Sequence, residues 1–427
     1  MNTTKNESAS WLNENCACEI FELDLLRKNI EADGLGNGQF DAMMLDHPHL
    51  FSRSCVFISQ GDLKIIRDSI HAIEKIINTE KFQQIIFQRN PLHLPPKSNL
   101  NGVFMGYDFH QTPFGPKLIE INTNAGGGIL NFELLKSQIN CCGDSKYGME
   151  NSANRAITID DFIQMFLNEW KLSRGDTPLK SIAIVDDEPT KQYLYPEFKL
   201  IKSMFESHGI KAFIVDPQEL CLDGNILCFK GTPIDFVYNR LTDFHLDDPT
   251  HSIIRRAWEK DSIVLSPNPF HHFIYANKLN LTILSDTEML SAISIPGEMK
   301  KQLESIIPKT VAVNHENADH LWSGRKSLFF KPSSGYGSKA TYRGDKLTHK
   351  VWEEILQSNY VAQTTVPPGT RKIKLSDNTF ATLKYDLRAY TYDGKIQLMA
   401  ARLYSGQTTN FRTQGGGFAP VFVTSIA

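Results

Sequence analysis

The middle of the chain alternates short apolar segments with helical patterns, and this alternation restricts the fold more than any other feature. Three of the apolar segments are SIAIVDD (181–187), KAFIVDP (211–217) and DSIVLSP (261–267). Strands that alternate with helices form βαβ units, whose strands run parallel in one sheet. We therefore predict an α/β (α+β) chain in which residues 180–268 contain a parallel sheet. The first strand-to-helix turn has no G-x-G-x-x-G pattern, which argues against a dinucleotide enzyme.

Composition excludes several classes of partner. The chain has 427 residues and a formal net charge of −3, so it has room for more than one domain and no bulk attraction to nucleic acid or anionic membranes. No apolar run approaches the ~20 residues of a membrane helix. The close cysteine pairs Cys16/Cys18 and Cys141/Cys142 lack C-x-x-C spacing, so we expect no zinc site and no disulfide framework. We predict a cytoplasmic protein that binds neither nucleic acid nor membrane, and a homodimer is one assembly we consider.

Two segments far apart in the chain carry oxygen ligands on strand-like patterns. GVFMGYDFH (102–110) and KLIEIN (117–122) read as a hairpin, in which period two places Glu120 and Asn122 on one face. Asp386, in the alternating stretch KYDLRAY, supplies a third oxygen ligand. Carboxylate and carboxamide oxygens without nearby His or Cys suit magnesium, whose remaining positions phosphates can fill. The pattern therefore indicates chemistry on ATP and Mg²⁺.

Lys331 ends an apolar strand immediately before the small-residue loop SSGYGS. The backbone N–H groups of Ser334, Gly335 and Gly337 could approach phosphate oxygens there, while the lysine supplies a fixed positive charge. The G-K-[ST] ending of a Walker A loop is missing. The alternative is a Gly/Ser hairpin between surface strands with a solvated lysine.

Two arginines accompany the third oxygen ligand. Arg388 shares a strand face with Asp386, and Arg402 falls on the following strand. Guanidinium groups beside a carboxylate can neutralise a phosphoryl group in transfer or an acyl phosphate. The alternative is a cross-strand ion pair at the surface.

Gln363 precedes a Pro-Pro-Gly turn, where backbone groups that leave a sheet could bind a flat base.

The order of these motifs resembles that of ATP-grasp ligases. The likeness consists of Asn277-Lys278 ahead of a helix, F-K-P before the loop, V-A-Q before the turn, D-L-R, A-R, and T-N-F followed by G-G-G. The E-x-N segment lies near the N-terminus instead of the C-terminus, which resembles circularly permuted ATP-grasp proteins such as eukaryotic-type glutathione synthetases. The resemblance covers roughly residues 100–130 and 180–427. It implies a permuted ATP-grasp fold with a parallel-sheet, pre-ATP-grasp-like domain.

The resemblance also implies roles for individual residues. Magnesium would be held by Glu120, Asn122 and Asp386, and ATP by Lys278, Lys331, Ser334, Gly335, Gly337 and, at the adenine hinge, Gln363. Arg388 and Arg402 would be catalytic, and the substrate would contact Gly126, Gly127, Asn410, Gly415 and Gly416. The loop is less Gly-rich than that of glutathione synthetases, and their peptide substrate does not carry over.

The expected activity is an ATP- and magnesium-dependent ligase that joins a small carboxylate to an amine, such as an amino acid or short peptide, through an acyl phosphate. An ATP-dependent phosphotransferase and a non-catalytic nucleotide-binding protein remain as alternatives. The expected division of the chain is a disordered tail (1–20), a helical segment with the permuted strands (21–142), a connection with a helix (143–179), the α/β domain (180–268) and the nucleotide-binding region with its lid (269–427).

Overall fold

The computed structural model describes residues 8–19, 22–89, 97–138, 157–335 and 340–424. Within these ranges the chain forms eighteen strands. In chain order they are β1 (Val56–Ser59), β2 (Met105–Thr112), β3 (Gly115–Asn122), β4 (Ser181–Val185), β5 (Lys211–Val215), β6 (Leu220–Asp223), β7 (Ile226–Phe229), β8 (Thr232–Pro233), β9 (Phe236–Asn239), β10 (Val264–Ser266), β11 (Thr310–Ala312), β12 (Leu328–Pro332), β13 (Tyr342–Arg343), β14 (Tyr360–Thr364), β15 (Gly369–Lys374), β16 (Phe380–Tyr392), β17 (Lys395–Tyr404) and β18 (Gly417–Thr424).

The same ranges contain fifteen α-helices, with short 3₁₀ and π turns between some of them. The helices are α1 (Ala9–Asn15), α2 (Leu23–Ile30), α3 (Gln39–Asp46), α4 (Gln60–Ile77), α5 (Glu80–Arg89), α6 (Gly128–Lys136), α7 (Ile159–Arg174), α8 (Tyr195–Ser207), α9 (Ser252–Glu259), α10 (Pro269–His271), α11 (Asn280–Leu284), α12 (Thr287–Ala292), α13 (Gly297–Ile306), α14 (Ala318–Gly324) and α15 (His349–Leu356). None of these helices is both long and apolar enough to span a bilayer.

The largest sheet joins strands from both ends of the chain. Its order is β1-β18-β17-β16-β2-β3, and β15 also pairs with β16. All pairs are antiparallel except β1 with β18. The hairpin β2–β3 has the predicted strands, and its register skips Ile119, because Asp108 pairs with Glu120 whereas Phe109 pairs with Leu118. This bulge leaves the Ile119 carbonyl outside the ladder, beside the site described below.

The middle of the chain forms a four-stranded sheet of order β10-β9-β4-β5. Every pair in it is parallel, as the alternating sequence pattern predicts. Helix α8 connects β4 to β5 and packs on the same sheet. Two interpretations stay predictions: that this region is a pre-ATP-grasp-like domain, and that the chain is circularly permuted.

A third sheet has the order β11-β14-β12-β13 and lines one cavity together with the large sheet. It has its own small apolar core, in which the ring of Phe330 packs edge-on against Trp352 of α15 with centroids 5.4 Å apart. Strand β12 carries Lys331 and the neighbouring strand β14 carries Gln363. A fourth sheet, β6-β7-β8, has three short strands.

The prediction of a disordered tail over residues 1–20 is wrong for its described part. Helix α1 begins after Ser8, whose side chain caps it, and Leu12 is buried. Asn13 donates to the Phe57 carbonyl at 2.8 Å and accepts from the Phe57 N–H at 3.0 Å. Since β1 is the edge strand of the large sheet, the amide of Asn13 replaces a missing strand neighbour. The polar composition of the segment concealed this buried contact.

The helical spacing of Ile66, Ile70, Ile73 and Ile77 predicts an amphipathic helix after Gly61 with Asp62 as its N-cap. That helix is α4, but its cap differs from the prediction. Ser59 is the N-cap, and Asp62 is the third helical residue of a capping box, accepting from the Ser59 N–H and hydroxyl. The predicted apolar stripe is buried in the core beneath the large sheet. Helix α4 therefore supports the back of the strands that carry the site.

Candidate active site

One cavity of about 320 Å³ opens between the large sheet and the third sheet. Its described lining contains five cationic side chains and three carboxylates, a net charge of +2. The cations are Lys278, Lys331, Arg343, Lys384 and Arg402, and the carboxylates are Asp108, Glu120 and Asp386. A cavity with excess positive charge is suited to a polyanionic ligand.

Two lysines from different elements converge beside Glu120. Lys278 follows the π turn after α10, and its ammonium donates to the Gly335 carbonyl at 3.1 Å and lies 3.9 Å from Glu120 Oε2. Lys331 is buried and donates to the Ile119 carbonyl at 3.1 Å. Burial lowers the pKa of Lys331 to about 8, and the positive charge of Lys278 adds to this effect, while Glu120 opposes it. An anion placed between the two lysines would relieve their mutual repulsion.

Gln363 orients Lys331. Its Oε1 accepts from the Lys331 ammonium at 2.8 Å, and its Nε2 donates to the Thr310 hydroxyl at 3.2 Å. Both ends of the amide are therefore engaged within the protein. The turn that follows, residues 364–368, lines the cavity. The adenine-hinge role of Gln363 stays a prediction.

Asp108, which the sequence analysis did not select, is the centre of an ion network. Arg388 donates to its two carboxylate oxygens at 2.6 and 2.7 Å. Arg402 donates to Asp108 at 2.9 Å and to Asp386 at 2.8 Å, so it bridges the two carboxylates. Burial alone would raise the pKa of Asp108, but the two guanidinium groups outweigh it and hold this pKa well below its usual range. Arg388 lies behind Asp108 and is not among the described lining residues, whereas Arg402 is.

The three residues predicted to bind magnesium differ in whether their oxygens already accept hydrogen bonds from the protein. The Glu120 side chain is 31% exposed and lines the cavity. The Asn122 amide nitrogen donates to Asp108 at 3.1 Å, so the side-chain oxygen of Asn122 is not used in that bond. Both oxygens of Asp386 already accept, from Arg402 and from the Thr409 hydroxyl. In the described part of the chain, no group of three or more His, Cys, Asp or Glu side chains is arranged to hold a metal. Glu120 lines the cavity, whereas Asn122 is not among its described lining residues and also donates to Glu120 at 3.4 Å. The magnesium role of this pair stays a prediction, and a magnesium role for Asp386 would require exchange of an arginine contact.

The predicted substrate glycines pack against protein atoms. A Cβ on Gly126 would lie 2.4 Å from the Leu194 side chain, and one on Gly127 would lie 2.2 Å from Phe418. A Cβ on Gly415 would lie 2.6 Å from Ile373, and one on Gly416 would lie 2.5 Å from a backbone carbonyl. Close packing thus explains why these positions are glycine, and their contact with a substrate stays a prediction.

The remaining predicted residues lie in loops at the rim. Asn410 donates to the carbonyls of Ser405 and Thr408 and so shapes its own loop. Gly335 lines the cavity, and Ser334 next to it is exposed. Gly337 lies outside the described residues. A role of these residues in binding stays a prediction.

A sequence signal for Asp108 did exist. Asp108 lies opposite Glu120 in the predicted hairpin, and strand period two places Asp108 and His110 on one face. What the pattern could not show is that arginines 280 and 294 residues away bind this carboxylate.

Comparison of the structure with solved structures shows the fold. A glutathione synthetase-like effector from Globodera pallida aligns over 94% of this chain and 98% of its own, with 12% sequence identity and a TM-score of 0.51. A candidate gamma-glutamylcysteine synthetase from Methylobacillus flagellatus aligns over 84% and 86%, with 11% identity and a TM-score of 0.47. The ATP-grasp ligase PsnB, complexed with minimal precursor, Mg and ADP, aligns over 58% and 89%, with 12% identity and a TM-score of 0.28. We base the fold assignment on the first of these. No family model and no curated protein matches the sequence.

Proposed function

We propose that this chain, which has the ATP-grasp fold of glutathione synthetase-like proteins, is an ATP-dependent ligase. It would join a carboxylate to an amine. The observation that carries the proposal is the convergence of Lys278 and Lys331 on Glu120 within a cavity of net charge +2. Two buried ammonium groups that share one partly exposed carboxylate fit a triphosphate chain better than a neutral ligand.

The side chains of the cavity divide the work of phosphoryl transfer. Lys278 and Lys331 bind phosphate oxygens, and Gln363 keeps Lys331 in place. Glu120 and Asn122 would hold the magnesium ion, which would supply positive charge against the phosphate groups of the nucleotide. Arg402, which lines the cavity, stabilises the charge that develops on the transferred group. No nucleophilic side chain is required, because positioning and charge neutralisation carry this chemistry.

Arg388 and Asp108 act on Arg402 rather than on the ligand. The two bonds from Arg388 hold the Asp108 carboxylate, and that carboxylate holds the guanidinium of Arg402. Fixing a guanidinium in advance lowers the reorganisation that the reaction needs. We therefore assign Arg388 and Asp108 as positioning residues.

In the proposed reaction, the substrate carboxylate attacks the γ-phosphorus of ATP, ADP leaves, and an acyl phosphate forms. The amine then attacks the acyl carbon, loses a proton to solvent, and expels inorganic phosphate, which leaves an amide. One ATP is converted to ADP and phosphate for each amide formed.

A second polar cluster, at the carboxyl end of the parallel sheet and outside the described lining of the cavity, is our candidate for binding of the substrate acid. Arg240 directly follows β9 at the carboxyl end of the parallel sheet, is buried, and donates to the Asn124 side-chain oxygen. Its Nε has no hydrogen-bond partner among the described residues. The carboxylates of Glu197 and Asp186 already act on this guanidinium, so the case for an anionic ligand rests on the unused Nε donor and on its place at the carboxyl ends of parallel strands. Asn124 lies two residues after Asn122, which connects this cluster to the ATP site.

The test measures binding and products together. Calorimetry with ATP and magnesium is followed by an assay of amino acids and short peptides as acid and amine pairs. The proposal expects ADP and phosphate in equal amounts with an amide detected by mass spectrometry, whereas ADP with a stable phosphoester indicates a phosphotransferase. ATP binding without ADP release for any pair would favour the non-catalytic alternative.

A variant pair connects turnover to the site. Arg402→Ala should lower turnover roughly 100- to 1,000-fold and leave ATP affinity nearly unchanged, because the guanidinium acts mainly on transition-state charge. The matched control is Arg255→Ala, which removes an arginine of an exposed ion pair on α9. Equal turnover of the two variants would remove Arg402 from the mechanism.

A further inference from the structure

His110 lines the ATP cavity, and the proposed chemistry does not use it. Its Nδ1 lies 2.7 Å from the carbonyl oxygen of Val366. A carbonyl oxygen only accepts hydrogen bonds, so Nδ1 carries the hydrogen. In a neutral ring the other nitrogen, Nε2, is then an acceptor. The tautomer of the neutral ring is thus set by a backbone group of the turn that lines the cavity.

The surroundings favour the neutral ring. Burial lowers the pKa of His110, and Lys331 on β12 adds to this, whereas the Val366 carbonyl, Asp386 on β16 and Asp108 on β2 act in the opposite direction. The net pKa lies below the ordinary value, so the imidazole is neutral near pH 7.

The turn of residues 364–368 presents few donors of its own. The Thr364 N–H bonds the Lys309 carbonyl at 2.9 Å, and the Thr365 N–H bonds the Ser327 carbonyl at 2.8 Å. The two residues after Val366 are prolines, which have no N–H. Four of the five peptide nitrogens in this wall therefore have no hydrogen to offer a ligand, and the Val366 carbonyl is already engaged. The turn therefore offers a keto oxygen of a ligand few hydrogen-bond donors, while its other carbonyls remain acceptors.

We propose that His110 selects the nucleobase, an inference that rests on the proposed ATP-dependent function. Its Nε2 accepts from an exocyclic amine at the base edge, as in adenine. A keto oxygen at the same position would face the Nε2 lone pair, with two acceptors and no hydrogen between them. A site that uses a buried acceptor rejects an analogue that lacks the matching donor. The cleft therefore prefers 6-amino purine nucleotides to 6-oxo purine nucleotides.

The test compares ATP with ITP, which carries oxygen in place of the 6-amino group. Calorimetry with magnesium on the full chain should give the wild type a dissociation constant for ITP at least about tenfold above that for ATP. His110→Leu should bring the ratio close to one by weakening ATP. His110→Gln should also bring it close to one, because its amide offers both an acceptor and a donor, while ATP affinity is largely kept. His315→Leu, at an exposed histidine outside the cavity, is the control and should keep the wild-type ratio.

Each outcome separates this inference from the function beneath it. A wild-type ratio of the ITP and ATP dissociation constants near one overturns the inference. This outcome needs no variant, so it does not depend on whether His110→Leu folds. A wild-type preference that persists in both His110 variants also overturns it and leaves the ligase proposal intact. Failure of the wild type to bind either nucleotide overturns the proposed function together with the inference.

Discussion

Replacement of Asp108 by Asn should destabilise the chain more than loss of any exposed carboxylate. The Asp108 side chain is 4% exposed, and those of its partners Arg388 and Arg402 are 10% and 14% exposed. Asn keeps the shape and one acceptor oxygen but removes the charge that compensates two guanidinium groups. Arg402 retains Asp386, so Arg388 bears most of the loss.

The expected magnitude follows from this burial. Removal of one partner of a buried ion pair leaves an uncompensated charge and costs about 3–5 kcal/mol. Because Asn still accepts one hydrogen bond, we expect the free energy of unfolding to fall by about 3 kcal/mol. The double variant Asp108→Asn/Arg388→Gln should recover part of this loss, since neither charge then remains buried without a partner.

Urea unfolding followed by tryptophan fluorescence measures the effect. The control is Glu259→Gln, whose partner Arg255 is 43% exposed, and exposed pairs contribute roughly 0–1 kcal/mol. If Asp108→Asn loses no more stability than Glu259→Gln, the network is not a buried charge cluster.

The pH dependence of the stability difference supplies a second check. The arginines depress the pKa of Asp108 in the folded chain, so its contribution is present above the unfolded pKa near ~3.9 and is lost as the pH falls further. The difference between wild type and variant should therefore shrink in acid.

Three further predictions concern single side chains. Lys331→Ala should weaken ATP binding by roughly 1.5–3 kcal/mol, the value of a charge-assisted contact, and unchanged affinity by calorimetry would return this lysine to a structural role. His251 donates to Asp187 and Asp243, and although burial alone would lower its pKa, these two carboxylates raise it to about 9. The stabilisation of the folded chain by His251 is therefore complete below the unfolded pKa of about 6.5 and is lost as the pH rises through about 9. A stability difference between wild type and His251→Gln that stays constant from pH 7 to pH 10 would contradict this reasoning. Asn13→Ala should cost about 1–3 kcal/mol in thermal or urea unfolding, because two backbone groups of an edge strand lose their partner; an unchanged midpoint would show that α1 adds little to the sheet.

Local sequence patterns determined the elements that carry the site. Strand period two and the turn residues were sufficient for the hairpin β2–β3, and the alternation of strands with helices was sufficient for the parallel strands β4, β5 and β10. These features depend on residues within about 30 positions of one another, where backbone geometry and side-chain spacing act directly. The residue types also predict a site for phosphates, because clusters of lysines, arginines and carboxylates at strand ends are typical of functional sites as well as of ion pairs.

Only the tertiary structure decided which of these groups meet. The sequence predicts Asp386 as a magnesium ligand and Gln363 as an adenine-hinge residue, and both roles stay predictions. The fold adds that Asp386 accepts from Arg402 and Gln363 from Lys331. It also placed Asp108 at the centre of the network and buried Asn13 against an edge strand. Each of these partners depends on strands that are distant in the chain but adjacent in a sheet. Composition and period describe one strand at a time, and the charge balance of a cavity exists only after the strands have paired.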